Sequence, residues 1–333
     1  MAELRTVSTA ADLRAAVDAW RRDGLRVGFV PTMGALHEGH LSLVRLALQH
    51  ADRVVVSIFV NPTQFGPDED LAAYPRSPEE DCRQLAVAGC DLVFLPEVET
   101  IYPPGESTWI EVEGPSRGFE GAERPGHFRG VATVVTKLFG LVRPDVAVFG
   151  EKDAQQLALV RRLVRDLHLG VEIVAGPIAR EHDGLAMSSR NVYLSAEERR
   201  AAGVLHRSLQ SARRLIEAGE RGADVLAGAV RAVLASEPSG AVDYVAVVDA
   251  ATFAPVTTVD GPSVVAIAVR FGRTRLLDNI HVDPIHVESN HVEPNHVGPG
   301  APAVPADLST TPSVDAPASG VRDKEILRCD APS

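Results

Sequence analysis

Residues 27–41 read Val-Gly-Phe-Val-Pro-Thr-Met-Gly-Ala-Leu-His-Glu-Gly-His-Leu, and this stretch sets the architecture of the chain. The apolar run Val27–Val30 reads as a buried strand. From Leu41 onward, Leu41, Val44 and Leu48, with Leu43 and Ala47, recur at helical spacing. His37 and His40 therefore stand where a strand hands over to a helix. The first N–H groups of a helix have no intrahelical partner and its dipole end is positive, so such a junction suits an anion. Gly34 and Gly39 would let a phosphate approach the backbone, and two imidazoles add donors for charge that develops in a transition state. A histidine at a helix start also serves as a cap or sits in solvent, and the pair alone does not choose between these readings.

Outward from this junction, strand and helix signals alternate. Apolar runs at Val54–Val60, Leu92–Leu95, Val146–Phe149 and Val171–Val174 predict strands. Helices are predicted near Gly39–His50, Pro78–Ala88, Phe128–Leu141 and Ala154–His168. The Pro78 helix carries Ser77 as N-cap, Pro78 at its first position and Glu80 three residues after the cap. The alternation predicts an α/β domain over residues 1–177 with a doubly wound, Rossmann-like parallel sheet. Ligands bind beyond the carboxyl ends of such strands, where His37, Asn61, Gly150 and the residues after Val174 fall. Residues 178–280 read as a smaller α+β lid domain: helical runs Ala196–Ala218 and Ala223–Ala235, then strands Val242–Val248 and Val264–Val269. From residue 281 to 333 a Pro/Ala/Ser-rich tail has too few long apolar residues to repay its ordering entropy and reads as disordered. Its repeat spaces His281, His286, His291 and His296 evenly, a pattern open to metal binding or to plain low complexity.

The chain has 333 residues, enough for two domains with real cores, and 45% hydrophobic with 23% charged content belongs to a globular protein. Its 33 basic and 45 acidic residues give a net charge of −12, which argues against non-specific nucleic-acid binding. Cys82, Cys90 and Cys329 form neither a paired framework nor a metal spacing, so a reducing cytoplasm is expected. Neither a signal-peptide core nor an apolar run long enough for a membrane span is visible. Lysine occurs only at Lys137, Lys152 and Lys324, in a chain that otherwise uses arginine.

Four more runs carry chemistry. Asn61-Pro62-Thr63-Gln64 closes a strand with two amides, suited either to a hydroxylated acid or to an Asn-Pro turn serving itself. Gln156 starts the helix after Phe149, where it could face Gln64. Glu79, Glu80 and Asp81 either favour a helix dipole or hold a hard cation such as Mg²⁺ through water. At Phe149-Gly150-Glu151-Lys152-Asp153, Gly150 permits close approach, Lys152 can meet a phosphate and Asp153 a ribose, although a loop lysine is more often merely solvated. Met187-Ser188-Ser189-Arg190-Asn191 offers two hydroxyls and a guanidinium, a match for phosphates that a serine-rich linker does not need.

The His37-x-Gly-His40 run and the Met187–Arg190 loop together resemble the paired signatures of the nucleotidylyltransferase and class I tRNA-synthetase superfamily. The loop is a variant of the Lys-Met-Ser-Lys-Ser form, with Ala186 in place of the first lysine. Pro31–His40, Ser57–Gly66, Phe149–Gln156, Asp183–Leu194 and Thr274–Ile280 resemble the pantoate–β-alanine ligase family over about residues 5–280. The resemblance implies an ATP-dependent ligase that forms pantoyl adenylate and then pantothenate, releasing pyrophosphate and AMP. It implies that His37, His40, Lys152, Ser188, Ser189 and Arg190 contact the triphosphate, and that Gly150 and Asp153 hold the ribose. Met33, Gly39, Ala179 and Met187 complete the ATP site on the same grounds. Asn61, Gln64 and Gln156 would hold pantoate with Met33 beside it, and Glu80 with Asp81 would carry Mg²⁺ through water. A homodimer is implied as well. Rival readings are another nucleotidylyltransferase of the same fold and a catalytically silent binding protein; a tRNA synthetase is disfavoured because no basic anticodon-reading domain is visible.

Overall fold

The computed structural model describes residues 4–67 and 69–283. Six parallel strands form the main sheet: β1 (Arg5–Val7), β2 (Val27–Thr32), β3 (Arg53–Ile58), β4 (Leu92–Phe94), β5 (Val146–Gly150) and β6 (Glu172–Gly176). Their order, β1-β4-β3-β2-β5-β6, runs outward from β2 in both directions. The predicted doubly wound sheet is thus present, and its switch point lies between β2 and β5. These two strands pair only at Gly28–Val146 and Phe29–Ala147 and then part. Pro31, next along β2, has no N–H to donate, so the ladder with β5 does not continue and a cleft opens there.

The connecting helices are α1 (Ala10–Arg22), α2 (Glu38–His50), α3 (Pro78–Ala88), the short α4 (Val98–Ile101) and α5 (Phe119–Glu123), α6 (His127–Val142) and α7 (Ala154–Asp166). Sequence periodicity misses β1 and α1. β1 is only three residues long with one apolar position facing inward, and α1 is dominated by alanine and charge, so neither stands out locally. Ser77 precedes α3 as expected but makes no side-chain cap, because its backbone is turned away from the extended conformation a cap requires.

The second lobe packs a three-stranded antiparallel sheet, β7 (Gly240–Asp249), β8 (Ser263–Phe271) and β9 (Thr274–Val282), against helices α8 (Ala196–Ala201), α9 (Val204–Glu217) and α10 (Ala223–Leu234). The single helical run expected over Ala196–Ala218 is two helices, broken at Ala202–Gly203. Alternation along the strands divides two cores. Val245, Val247, Val265, Ile267 and Val269 face the helices, whereas Ala246, Val248, Val264 and Ala266 pack with Ala154 and Ala158 of α7. The small residues let the sheet sit close on the first lobe, and both lobes belong to one compact unit. Within that unit we propose that the two lobes divide at residues 177/178. The tail boundary needs correction: His281 and Val282 lie in β9, where His281 pairs with Val264, because the alternating burial of that strand continues past Ile280. His286, His291, His296 and the rest of the expected tail lie outside the described residues.

Candidate functional site

β2 ends in a left-handed turn at Gly34 (φ +82°) and Ala35 (φ +50°) that delivers the chain to α2. His37 is the N-cap of α2: its Nδ1 accepts the Gly39 N–H at 3.1 Å, and His40 Nδ1 accepts the His37 N–H at 3.3 Å. The two rings pack together tilted by 37°, their centroids 4.1 Å apart. With each Nδ1 accepting, the neutral ring carries its proton on Nε2, so the pair presents two N–H donors. Burial, with the Lys152 ammonium nearby, lowers the His37 pKa to about 4. Burial and the adjacent His37 lower that of His40 to about 3. The cap reading of His37 holds, and it leaves the Nε2 side of both neutral rings to donate.

The glycines also meet a local steric requirement. A Cβ on Gly39 would meet His37 Cε1 at 2.8 Å, and one on Gly34 would meet Asp81 Oδ2 and Ile58 Cγ2 at 3.0 Å. A side chain at either position would crowd the protein's own cap and turn.

Two adjoining clefts open at the switch point. One is lined by Met33, His40, Asn61, Gln64, Asp153 and Gln156, with Phe59, Val131, Val134, Val135 and Leu138 as an apolar wall. The other shares Met33, Gln64, Asp153 and Gln156 and reaches Lys152, Arg190, Glu120, Arg124, His127, Tyr244 and Asn279 between the lobes. Asn61 is nearly fully buried, accepts from Thr63 N–H and Tyr102 hydroxyl, and donates to Gln64 Oε1 at 3.0 Å. It holds Gln64 and still lines the cleft. Lys152 lies 3.5 Å from Asp153, and Asn279 of β9 donates to the carbonyls of Glu151 and Lys152 at 3.0 and 2.9 Å, tying this turn to the second lobe.

His37, Gly39, Gly150, Ala179, Met187, Ser188 and Ser189 line neither cleft. They join the site through contacts: Gly39 faces Ala179, Met187 N–H donates to the Ala179 carbonyl at 2.9 Å, and Ser188 caps the turn carrying Arg190. Arg190 lies 3.2 Å from Asp70, and Ser189 hydrogen-bonds Tyr74. Sequence reading missed Tyr74, Arg124, His127, Glu120 and Asn279. His127 in Arg-Pro-Gly-His, just before a predicted helix, was the one local signal available.

Both members of the acidic pair are engaged by the protein's own groups. Asp81 is 2% exposed, and its Oδ1 and Oδ2 accept the Leu36 and Ala35 N–H groups at 2.8 and 3.0 Å, fixing the turn before His37. Glu80 accepts from Gln84 Nε2 at 2.9 Å and pairs with Arg83 along its own helix. The water-mediated Mg²⁺ role expected of Glu80 and Asp81 is therefore left as a proposal. Among the described residues no group of three or more His, Cys, Asp or Glu side chains is disposed to hold a metal.

Burial and the Arg124 guanidinium also lower the His127 pKa to about 4, so all three imidazoles titrate below the unfolded value of 6.5. As pH falls through 6.5 the unfolded chain takes up protons that the folded chain refuses. Stability is unaffected by these groups above that pH and falls progressively between about 6.5 and 4. Melting temperature should therefore drop on acidification from pH 7 to 5, and His37→Asn, which keeps a cap acceptor, should flatten the slope. An unchanged slope in that variant would place the acid sensitivity elsewhere.

A twisted parallel sheet with a ligand cleft at its switch point and an antiparallel lobe packed beside it defines a doubly wound α/β protein with a small-molecule site. The family profile described as pantoate-beta-alanine ligase matches residues 5–281. A pantothenate synthetase of Heliobacterium modesticaldum is 53% identical over 280 residues, 84% of this chain and 100% of that protein. The crystal structure of pantothenate synthetase from Thermus thermophilus superposes with a TM-score of 0.78 at 50% identity, covering 83% of this chain and 99% of that one. Pantoate-beta-alanine ligase from Francisella tularensis, crystallised with beta-gamma ATP and β-alanine, gives a TM-score of 0.68 at 31% identity over 84% of this chain and 99% of its own. The chain belongs to the pantoate–β-alanine ligase family.

Proposed function

We propose that this protein condenses pantoate with β-alanine at the expense of ATP, through pantoyl adenylate, releasing pyrophosphate and then AMP. The observation that carries the reading is the cleft at the switch point. Its valine, leucine and phenylalanine wall suits the dimethyl carbon of pantoate, while Gln64 and Gln156 can take its hydroxyls and carboxylate. A pantoate carboxylate seated there has His40 and Asp153 on the same lining, next to the second cleft where Lys152 and Arg190 stand. The carboxylate oxygen attacks the α-phosphorus and the bond to pyrophosphate breaks; the amine of β-alanine then attacks the acyl carbon and AMP leaves.

For the first step the protein supplies position and charge rather than covalent chemistry. The neutral Nε2–H groups of His37 and His40 donate to phosphate oxygens without the desolvation cost of a buried cation. Lys152 and Arg190 supply the positive charge, with Ser188 and Ser189 on the Arg190 turn and Gly150, Ala179 and Met187 framing the nucleotide. Mg²⁺ would accompany the triphosphate, and no step is assigned to it through Glu80 or Asp81. A homodimer in the cytoplasm belongs to the same reading. Incubation with pantoate, β-alanine, ATP and Mg²⁺ should yield AMP and pyrophosphate in step with pantothenate, whereas ADP and phosphate would indicate an acyl-phosphate route and overturn the adenylate.

A further inference from the structure

Gln64 lines both clefts, and the backbone that carries it is pinned by two residues that line the second of them. Its carbonyl accepts two hydrogen bonds, from His127 Nδ1 at 2.8 Å and Arg124 Nη2 at 3.3 Å. Because His127 Nδ1 donates there, its Nε2 accepts, and Arg124 Nη1 stands 3.1 Å away to fill it. Arg124 is held in turn by Glu69, with Nε and Nη2 at 2.7 and 2.6 Å from the carboxylate oxygens. Helix α6, which His127 opens, comes in closely: a Cβ on Gly130 would collide with the Thr63 carbonyl and the Gln64 nitrogen. On the other side Asn61 Nδ2 bridges the Gly130 carbonyl at 3.2 Å and Gln64 Oε1 at 3.0 Å. The turn therefore has its carbonyl fixed by one cluster and its side chain by another.

His127 is buried, lines the inter-lobe cleft and invites a catalytic reading. Both of its nitrogens are occupied, so it has no lone pair or proton to exchange with a substrate. We infer that His127 and Arg124, anchored by Glu69, are positioning residues that act on pantoate through Gln64. This rests on the proposed pantoate reading. Without the His127 donor the Gln64 turn can rotate its amide away from the cleft, and a grip misplaced by a fraction of an ångström loses much of its worth.

The test is steady-state kinetics with each substrate varied in turn, alongside melting curves. His127→Ala should raise KM for pantoate about tenfold, the size of one hydrogen bond to a positioned group. KM for ATP and β-alanine should stay within about twofold, as expected when one substrate's uniform binding is weakened. His127→Asn, whose side-chain N–H can reach the same carbonyl, should return KM for pantoate to within about threefold of the parent. Equal rises for pantoate and ATP, or an asparagine variant as damaged as alanine, would overturn the assignment. Should both His127 variants fail to fold, Glu69→Gln decides: it loosens Arg124 from a half-buried position, and an unchanged KM for pantoate would refute the clamp. Parent protein lacking pantoate-dependent exchange of pyrophosphate into ATP would strike the functional reading itself; with that exchange present, only the variants bear on positioning.

Discussion

His40→Ala and Lys152→Ala are each expected to lower the rate of pantoate-dependent exchange of labelled pyrophosphate into ATP by about 10²–10³-fold, the loss typical of one preorganised electrostatic donor. His40 sits at the first turn of α2 with its Nδ1 committed to the His37 N–H, so its remaining N–H is held in place before any substrate arrives. Lys152 is fixed by the 3₁₀ turn Glu151–Asp153, whose carbonyls are clamped by Asn279. Neither group has to reorganise as charge builds up on the phosphates. Pre-formed pantoyl adenylate has no pyrophosphate left to expel, so its reaction with β-alanine should suffer much less in both variants. Equal damage to the two half-reactions, or a loss below about fivefold, would show that these residues do not serve the departing phosphates.

The largest effect on stability is expected at the bridge between the lobes. Arg275 of β9 grips both oxygens of Glu120 on α5 at 2.6 and 2.8 Å, and Tyr244 of β7 donates to the same carboxylate at 3.1 Å. Glu120 is 6% exposed. Arg275→Ala would leave a buried carboxylate with a single hydroxyl for company, at a cost of about 3 kcal/mol. For a chain of this size that lowers Tm by about 4–5 °C. Adding Glu120→Gln should recover much of the loss, because the stranded charge is removed with its partner. A thermal melt of the single variant that moves by less than about 2 °C would mean that water reaches Glu120.

Much of this protein is legible locally. The strand-to-helix handover at Val27–Leu41, the run of α/β alternation and the cap position of His37 rest on periodicity and on the chemistry of a few consecutive residues, and the sheet order and the α2 cap agree with them. Gln64 and Gln156 were likewise readable as facing amides, because each follows the end of a strand in a parallel sheet. Their neighbours were not. Gln155 and Gln156 are adjacent on α7, yet Gln155 is buried on the carbonyls of Pro115, Arg117 and Gly118 while Gln156 lines both clefts. Asp81 reads as a helix-dipole acid or a metal ligand, and nothing local announces that its oxygens also accept from backbone N–H groups 45 and 46 residues away. Arg124 and His127 meet Gln64 across some 60 positions, and Asn279 reaches Lys152 across 127. The sequence by itself determines which atoms can donate, accept or carry charge, and through local spacing which element carries them. Only the tertiary structure decides which of those atoms lose their water and to whom they turn, because burial and long-range partners are fixed by elements that close over one another from distant parts of the chain.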